Sequence, residues 1–248
     1  VQDDEVKILS LLRPLRHPEK LRPLLSILNV ARAGVVEISK VDASLGEILV
    51  AFGCSGIENG HIIIRPADGE WVDPEQVKMI QQQAGLSSWT LHENPLDEHQ
   101  MRTLLFAELD KLEDHSAQPL VIPVDQYFNV KGVGLVAIGY VQSGTVNKHD
   151  RLLALPIAES AVTRSLQVMD DDVDTARAGD RVGVAMRDLR ETALERGSIL
   201  VHPDDEGDYS EAMSRHLKSR FELVKAPFQQ KEITVGDVIH AAVDLQFV

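Results

Sequence analysis

Cysteine is almost missing from this chain: Cys54 is the only one in 248 residues. A single thiol excludes an internal disulfide framework and suits a reducing cytosol. Long hydrophobic runs are missing too. No apolar stretch reaches membrane-span length and no signal peptide is visible, so no membrane partner is expected and the expected location is cytoplasmic. Basic charge is in deficit, with 25 Lys and Arg against 39 Asp and Glu and a net charge of −14. So acidic a chain is a poor non-specific binder of nucleic acid, which argues against DNA. Any RNA contact then needs a local basic patch or a partner protein. The acidity also fits a salt-rich cytoplasm. The nine histidines form no H-E-x-x-H or H-x-x-E-H pattern, so no metal site is expected. Ser87, Ser88, His92 and Glu93 lack a nucleophile elbow and an oxyanion glycine, which excludes a hydrolase set. Repeats and low-complexity segments are absent.

Hydrophobic residues make up 44% of the chain, enough for two or three small domains with real cores. The most informative stretch runs from Val121 to Val201. Val121, Ile122, Val124 and Phe128 form a β-rich run broken by one proline. Leu135 to Val141 is a second run, interrupted by Gly139 as a bulge or bend would interrupt it. Ser143-Gly144 and Asn147 to Asp150 are turns, Arg151 to Leu155 is a strand, and Pro156 ends it. Ala178-Gly179-Asp180 turns into the strand Arg181 to Met186, and Gly197 precedes Ser198 to Val201. Short strands punctuated by Gly and Pro, with no helical period, predict a closed antiparallel β-barrel.

Upstream, strand and helix patterns alternate. Strands are expected at Val6–Leu12, Gly34–Ile38, His61–Ile64 and Trp89–Leu91. Helices are expected at Pro18–Leu28, Leu45–Phe52, Pro74–Ala84 and Leu96–Leu112. In the last of these, Met101, Leu104, Leu105, Leu109 and Leu112 recur at helical spacing and read as core. This is an α/β domain, which binds ligand at the carboxyl ends of its strands. The expected boundaries are residues 1–116 for the α/β domain, 117–203 for the barrel and 204–248 for a partial third β domain. The third opens with the acidic linker Asp204 to Asp208, then strands at Arg220–Lys225 and Val238–Val248.

The barrel residues carry a resemblance. I-P-V-D-x-x-F-x-V-x-G-x-G (Ile122 to Gly134) is followed by G-x-V-x-x-G-x-V-x-x-x-D (Gly139 to Asp150). Then come R-S-L-Q (Arg164 to Gln167), A-G-D-R-V-G (Ala178 to Gly183) and R-G-S-I-L from Arg196. In this order and spacing they resemble the second domain of the EF-Tu family of translational GTPases, closest to its archaeal selenocysteine-specific (SelB) branch and a pyrrolysine-associated relative. The resemblance implies that residues 1–116 are a degenerate GTPase-like domain and that 204–248 begin a further barrel.

A GTPase needs G-x-x-x-x-G-K-[ST] to hold phosphates and Mg²⁺, and this chain has none. The family's D-x-P-G-H aligns with Arg13-Pro14-Leu15-Arg16-His17, where only His17 matches. The guanine-reading [NT]-K-x-D is expected after His61–Ile64, at Arg65-Pro66-Ala67-Asp68, where only the acid Asp68 matches. His17 and Asp68 are therefore nucleotide-binding remnants, and the chain reads as a pseudo-GTPase, not an enzyme. No cofactor is expected, with GTP and Mg²⁺ entering only if a further N-terminal segment supplies a P-loop. Val1 in place of Met, and an apolar end at Val248, leave room for a longer protein.

Two groups of residues are candidates for RNA contact. Arg13, Arg16, Lys20 and Arg22, with His17, cluster where phosphates would lie. Arg forks suit phosphate oxygens, but a solvated helix start balancing Asp3, Asp4 and Glu5 explains them more simply. In the barrel, the resemblance places a groove for the aminoacyl end of tRNA at Gln167, Asp170 and Arg181. The family often has Glu, Arg and Asn there. Asp170, within Asp170-Asp171-Asp172, would repel phosphate, and an acidic solvated loop accounts for it as well. The expected function is a translation-factor-like protein that binds the ribosome (rRNA and ribosomal proteins), and tRNA, without GTP hydrolysis, for instance blocking the factor site in dormancy. The alternatives are a GTP-dependent factor delivering a particular aminoacyl-tRNA and a protein-interaction scaffold outside translation.

Overall fold

The computed structural model describes residues 8–68, 70–203, 220, 222–226, 231–243 and 245–247. The chain divides into two compact units: Val1–Leu112 with Glu222–His240, and Glu113–Phe221 with Ala241–Val248.

The first unit is a parallel three-stranded sheet with helices. In chain order it has α1 (Leu21–Leu28), β1 (Gly34–Ile38), α2 (Ala43–Ser55), β2 (Gly60–Ile64), α3 (Pro74–Gln83), β3 (Thr90–His92) and α4 (Glu98–Leu109). The sheet order is β1-β2-β3, so β2 is central and buried throughout, as its apolar run requires. Each of the later helices starts on an aspartate that accepts a hydrogen bond from the first turn: Asp42, Asp73 and Asp97. Asp97 forms a capping box with Gln100, which starts α4 two residues later than the apolar pattern predicts.

The core of this unit gathers Ile38, Leu49, Ile62 and Val77 around Trp89. Two glycines make room for the indole. A Cβ on Gly34 would lie 2.1 Å from the Trp89 ring, and one on Gly60 would lie 2.5 Å from it. Trp89 Nε1 donates to Ile57 O at 3.1 Å, and Gln81 Nε2 donates to the Leu86 and Trp89 carbonyls at 2.9 and 2.8 Å. The buried polar atoms around the ring are thus satisfied.

Two sequence expectations fail in this unit. Residues 8–12, the described part of the expected strand Val6–Leu12, are irregular, because the described sheet ends at β1 and offers them no paired neighbour. The leucine face of α4 is not core. Met101, Leu104, Leu105 and Leu109 are half-exposed, and the only buried residue of the helix is Glu108. The reason is polar: α4 meets the sheet at His61, whose Nε2 lies 3.0 Å from Glu108 Oε1.

The second unit is the expected barrel. Its strands are β4 (Ile122–Val130), β5 (Gly134–Tyr140), β6 (Thr145–Asn147), β7 (Arg151–Leu155), β8 (Glu159–Val168), β9 (Asp171–Val173), β10 (Thr175–Arg177), β11 (Arg181–Arg187) and β12 (Ile199–Val201). Six of them close a ring in the order β4-β5-β11-β8-β7-β12, β9 adds to β8, and β6 pairs with β10. Every pairing is antiparallel. The interior is filled by aliphatic residues such as Ile122, Val146, Leu152, Leu166, Val184 and Leu200. Gly139 sits opposite a bulge in β4, where the register slips between Val124 and Gln126. A Cβ there would lie 2.4 Å from Pro123 O, so the bulge requires the glycine. The aspartates of the motif clamp turns: Asp150 accepts from Asn147 N at 2.7 Å and Asp180 from Arg177 N at 2.8 Å.

Beyond residue 203, the described chain holds only the short hairpin β13 (Ala242–Val243) and β14 (Gln246–Phe247). Residues 222–225 and 238–241, expected in longer strands, are irregular. Leu223, Val224 and Val238 are exposed there, with no described strand beside them. The acidic run 204–208 lies outside the described residues.

Gly60→Ala is expected to cost about 1–3 kcal/mol, because the new methyl must displace a buried indole. Urea unfolding followed by tryptophan fluorescence reads the loss directly. A neutral result would mean that β1 and β2 do not hold Trp89 this closely.

Candidate functional site

The carboxyl ends of the parallel strands are where an α/β sheet presents ligand-binding loops. After β1 the chain reads Ser39-Lys40-Val41-Asp42. This fits the Lys and the Asp of [NT]-K-x-D and carries a hydroxyl residue in the first place, so it matches better than Arg65 to Asp68. Sequence reading passed over it because it follows the half-exposed edge strand, not the most apolar one. The geometry is local. Lys40 Nζ lies 3.0 Å from Asp42 Oδ2, and Asp42 Oδ1 accepts Leu45 N at 3.1 Å to cap α2. That backbone hydrogen bond, with Lys40 second, holds the Asp42 carboxyl below the usual carboxylate range.

Arg65 follows β2 and ties the end of β1 to the segment before α4. Its backbone N–H donates to Ile38 O at 2.8 Å, its Nε pairs with Glu37 Oε1 at 2.9 Å, and its Nη2 donates to Leu96 O at 2.8 Å. Asp68 is exposed on the loop that continues from there. The structure gives no contact between Asp68 and His17.

His17 lies in the turn before α1. Its side chain is only 7% exposed, and Nε2 is 3.8 Å from Glu47 Oε1, too far for a hydrogen bond. It is packed against the body of the unit, not presented to solvent. Arg16, at the glycine of D-x-P-G-H, has φ 62°, so the left-handed backbone that a glycine would supply is present without the glycine. Arg13, Arg16, Lys20 and Arg22 are all exposed, spread over this turn and the first residues of α1. They form a basic stretch on an acidic chain.

In the barrel, Gln167 and Arg181 lie on neighbouring strands. Gln167 pairs with Gly183 on β11, two residues from Arg181. Neighbours paired across strands, and residues two apart along one, share a face, so both side chains stand on the outer face beside Gly183. Gln167 Nε2 donates to Asp172 Oδ1 at 3.0 Å. Arg181 stands opposite Tyr140 in the register. Burial raises the Tyr140 pKa, with Arg181 acting in the opposite direction, so the phenol keeps its proton. Asp170 lies in a turn, not on a strand. With Met169 it forms the two-residue turn of the β8–β9 hairpin, both at positive φ (68° and 54°), as a type I′ turn demands.

The motif pieces that are distant in sequence meet in space. Arg196 Nη2 lies 3.2 Å from Asp125 Oδ1, and Val124 N donates to Ser198 O at 2.8 Å. The I-P-V-D and R-G-S-I-L segments are therefore two sides of one seam.

A six-stranded ring with this seam defines the second-domain barrel of the EF-Tu type of translation factor. The Elongation factor Tu domain 2 family matches residues 134–201, from β5 through β12. Over 242 residues the chain is 31% identical to the uncharacterized protein MJ0325 of Methanocaldococcus jannaschii, covering 98% of this chain and 73% of that one. The selenocysteine-specific elongation factor of the same organism is 34% identical over 119 residues, 47% of this chain and 25% of that one. Among solved structures, elongation factor SelB from Methanococcus maripaludis with the GTP analogue GppNHp superposes with a TM-score of 0.63 at 24% identity, covering 75% of this chain and 44% of that one. At that identity the likeness is one of fold. The chain belongs to the EF-Tu-like family of translation-factor relatives. It spans a quarter of the selenocysteine-specific factor and less than half of the solved SelB chain.

Asp42→Ala is expected to lower the melting temperature at neutral pH by removing the cap of α2. Because the carboxyl's folded pKa lies below its ordinary value, the stabilisation is present above about pH 4 and lost as pH falls further. Melting curves of wild type and variant should therefore converge in acid. A gap that stays constant down to pH 3 would rule out the ionised cap.

Proposed function

We propose that this protein is a translation-factor-like ligand of the ribosome that engages through its barrel and does not hydrolyse GTP. The observation that carries this reading is the contrast between the two units. The barrel keeps its closed ring, its bulge at Gly139 and its Asp125–Arg196 seam. The place of D-x-P-G-H holds Arg13 to His17, with no carboxylate for a Mg²⁺-bound water and with its histidine packed away. Hydrolysis needs that carboxylate and a free group near the γ-phosphate. Docking needs neither. An occupant of the factor site that cannot turn over would hold ribosomes idle, a role in dormancy. Cytoplasmic location follows from such a role, and no described helix is long and apolar enough to cross a membrane.

Lys40 and Asp42 favour a second reading, a GTP-dependent factor for a particular aminoacyl-tRNA, since these are the residue types that read guanine in the family. Gln167 and Arg181 on the outer barrel face would then meet the tRNA end.

Co-sedimentation with salt-washed ribosomes, with and without a non-hydrolysable GTP analogue, separates the two. We expect pelleting that is indifferent to nucleotide and reduced several-fold by Arg181→Glu. Pelleting only with the analogue, and lost in Lys40→Ala, would replace the first reading with the second. No pelleting under either condition would remove both.

A further inference from the structure

The two tryptophans of the chain occupy opposite environments. Trp89 is 3% exposed in the core of the α/β unit, and Trp71 is 77% exposed. An exposed indole leaves a large apolar surface in water, and tryptophan is enriched among the residues that anchor one protein on another. The backbone around Trp71 is tied on both sides. Glu70 N donates to Ala67 O at 2.9 Å, Val72 is packed in the core, and Asp73 caps α3 by accepting from Glu75 N at 3.0 Å. The ring is therefore offered from a backbone already fixed, which lowers the entropy lost on binding.

The loop that carries Trp71 follows β2, at the carboxyl ends of the strands, the side on which an α/β sheet binds its ligands. Arg65 Nη2 joins this loop to the one after β3 through Leu96 O. Charge on this side has one dominant sign. In 39–42, 65–73 and 93–98 the only cations are Lys40 and Arg65. Both are engaged, Lys40 with Asp42 at 3.0 Å and Arg65 with Glu37 at 2.9 Å. Asp68, Glu70, Glu93 and Glu98 are exposed and have no ion-pair partner among the described residues. Asp68 and Glu70 are close neighbours of Trp71 in the chain.

An indole beside unpaired carboxylates selects a cation. A guanidinium stacks on the face of the ring, and guanidinium N–H groups fork onto carboxylate oxygens. A nucleic acid can stack a base on the same ring, but its phosphates would meet the acids at short range. An uncharged apolar partner would cover Asp68 and Glu70 without pairing them, which is costly. Arginine satisfies the ring and the acids together.

We propose that Trp71 anchors a docking surface for an arginine-rich segment of another protein, with one guanidinium stacked on the indole and its neighbours paired to Asp68 and Glu70. The surface lies on the α/β unit and uses neither the barrel nor a nucleotide. It stands apart from the ribosome-docking reading, and either can fail alone.

A labelled peptide of alternating arginine and glycine, titrated with the whole protein at physiological ionic strength and followed by anisotropy, tests the surface without ribosomes. The wild type should bind, and unlabelled peptide should change its tryptophan emission. Trp71→Ala keeps the net charge and leaves Trp89 to report the fold. It should weaken binding roughly tenfold and abolish the emission change. Glu70→Lys should also weaken binding several-fold. Asp171→Asn combined with Asp172→Asn removes charge from β9 instead and should leave the affinity within about twofold. No binding by the wild type, or equal affinity in Trp71→Ala, would overturn the proposal. So would a loss in the β9 double variant as large as in Trp71→Ala, because it would mark attraction to net charge alone. Tighter binding of labelled oligouridylate than of the peptide would overturn it in favour of RNA.

Discussion

Ile199–Val201 hydrogen-bonds to β4 on one side and to β7 on the other, and without it the barrel would have two free edges. Three residues make a short strand, so the seam relies on what flanks it. Gly197 N and Ser198 O bind both sides of Val124, and Arg196 reaches Asp125 across the same gap. Ring closure satisfies the backbone of strands that would otherwise face water or another chain. The dense aliphatic interior can be dry only because the ring is shut. Two of the motif pieces, I-P-V-D and R-G-S-I-L, meet at this closure.

The barrel was legible because its sequence is written in turns. Asp150 and Asp180 clamp turns through side-chain hydrogen bonds, and Gly139 marks the bulge, so local chemistry and global fold agree. The α/β unit was legible as alternating elements and illegible in two places. The register of motifs against strands slipped: reading for the guanine motif followed the most apolar strand, while the better match, Ser39 to Asp42, followed β1 with its alternating exposure. The face of α4 was misread because a 3.6-residue period identifies an amphipathic helix but not what it meets. That Glu108 faces His61 across a sheet is a tertiary fact, set by two residues 47 positions apart. No local pattern encodes it.

The candidate surface residues fared differently from one another. Gln167 and Arg181 stand on one outer face because β8 and β11 are neighbours in the ring, an adjacency between segments separated by the β9 and β10 excursions. Asp170, counted with them along the sequence, sits in the β8–β9 hairpin turn. His17 and Asp68 share no contact, and Lys40 and Asp42 occupy the strand end between them in sequence. In each case the spacing along the chain gave the residue type, and the sheet order decided the company it keeps.

The aspartates of β9 have a consequence of another kind. β9 pairs with β8 on one side only, so the row of backbone groups on its other side is a template on which a foreign strand could grow. Asp171 and Asp172 are exposed along that margin, with Asp170 at the turn beside them. An incoming strand would have to bring its own backbone alongside these carboxylates, and a second copy would bring identical ones. The same charges that make this loop a poor seat for phosphate act as a gatekeeper, opposing polymerisation through the β9 margin at the concentrations a crowded cell imposes.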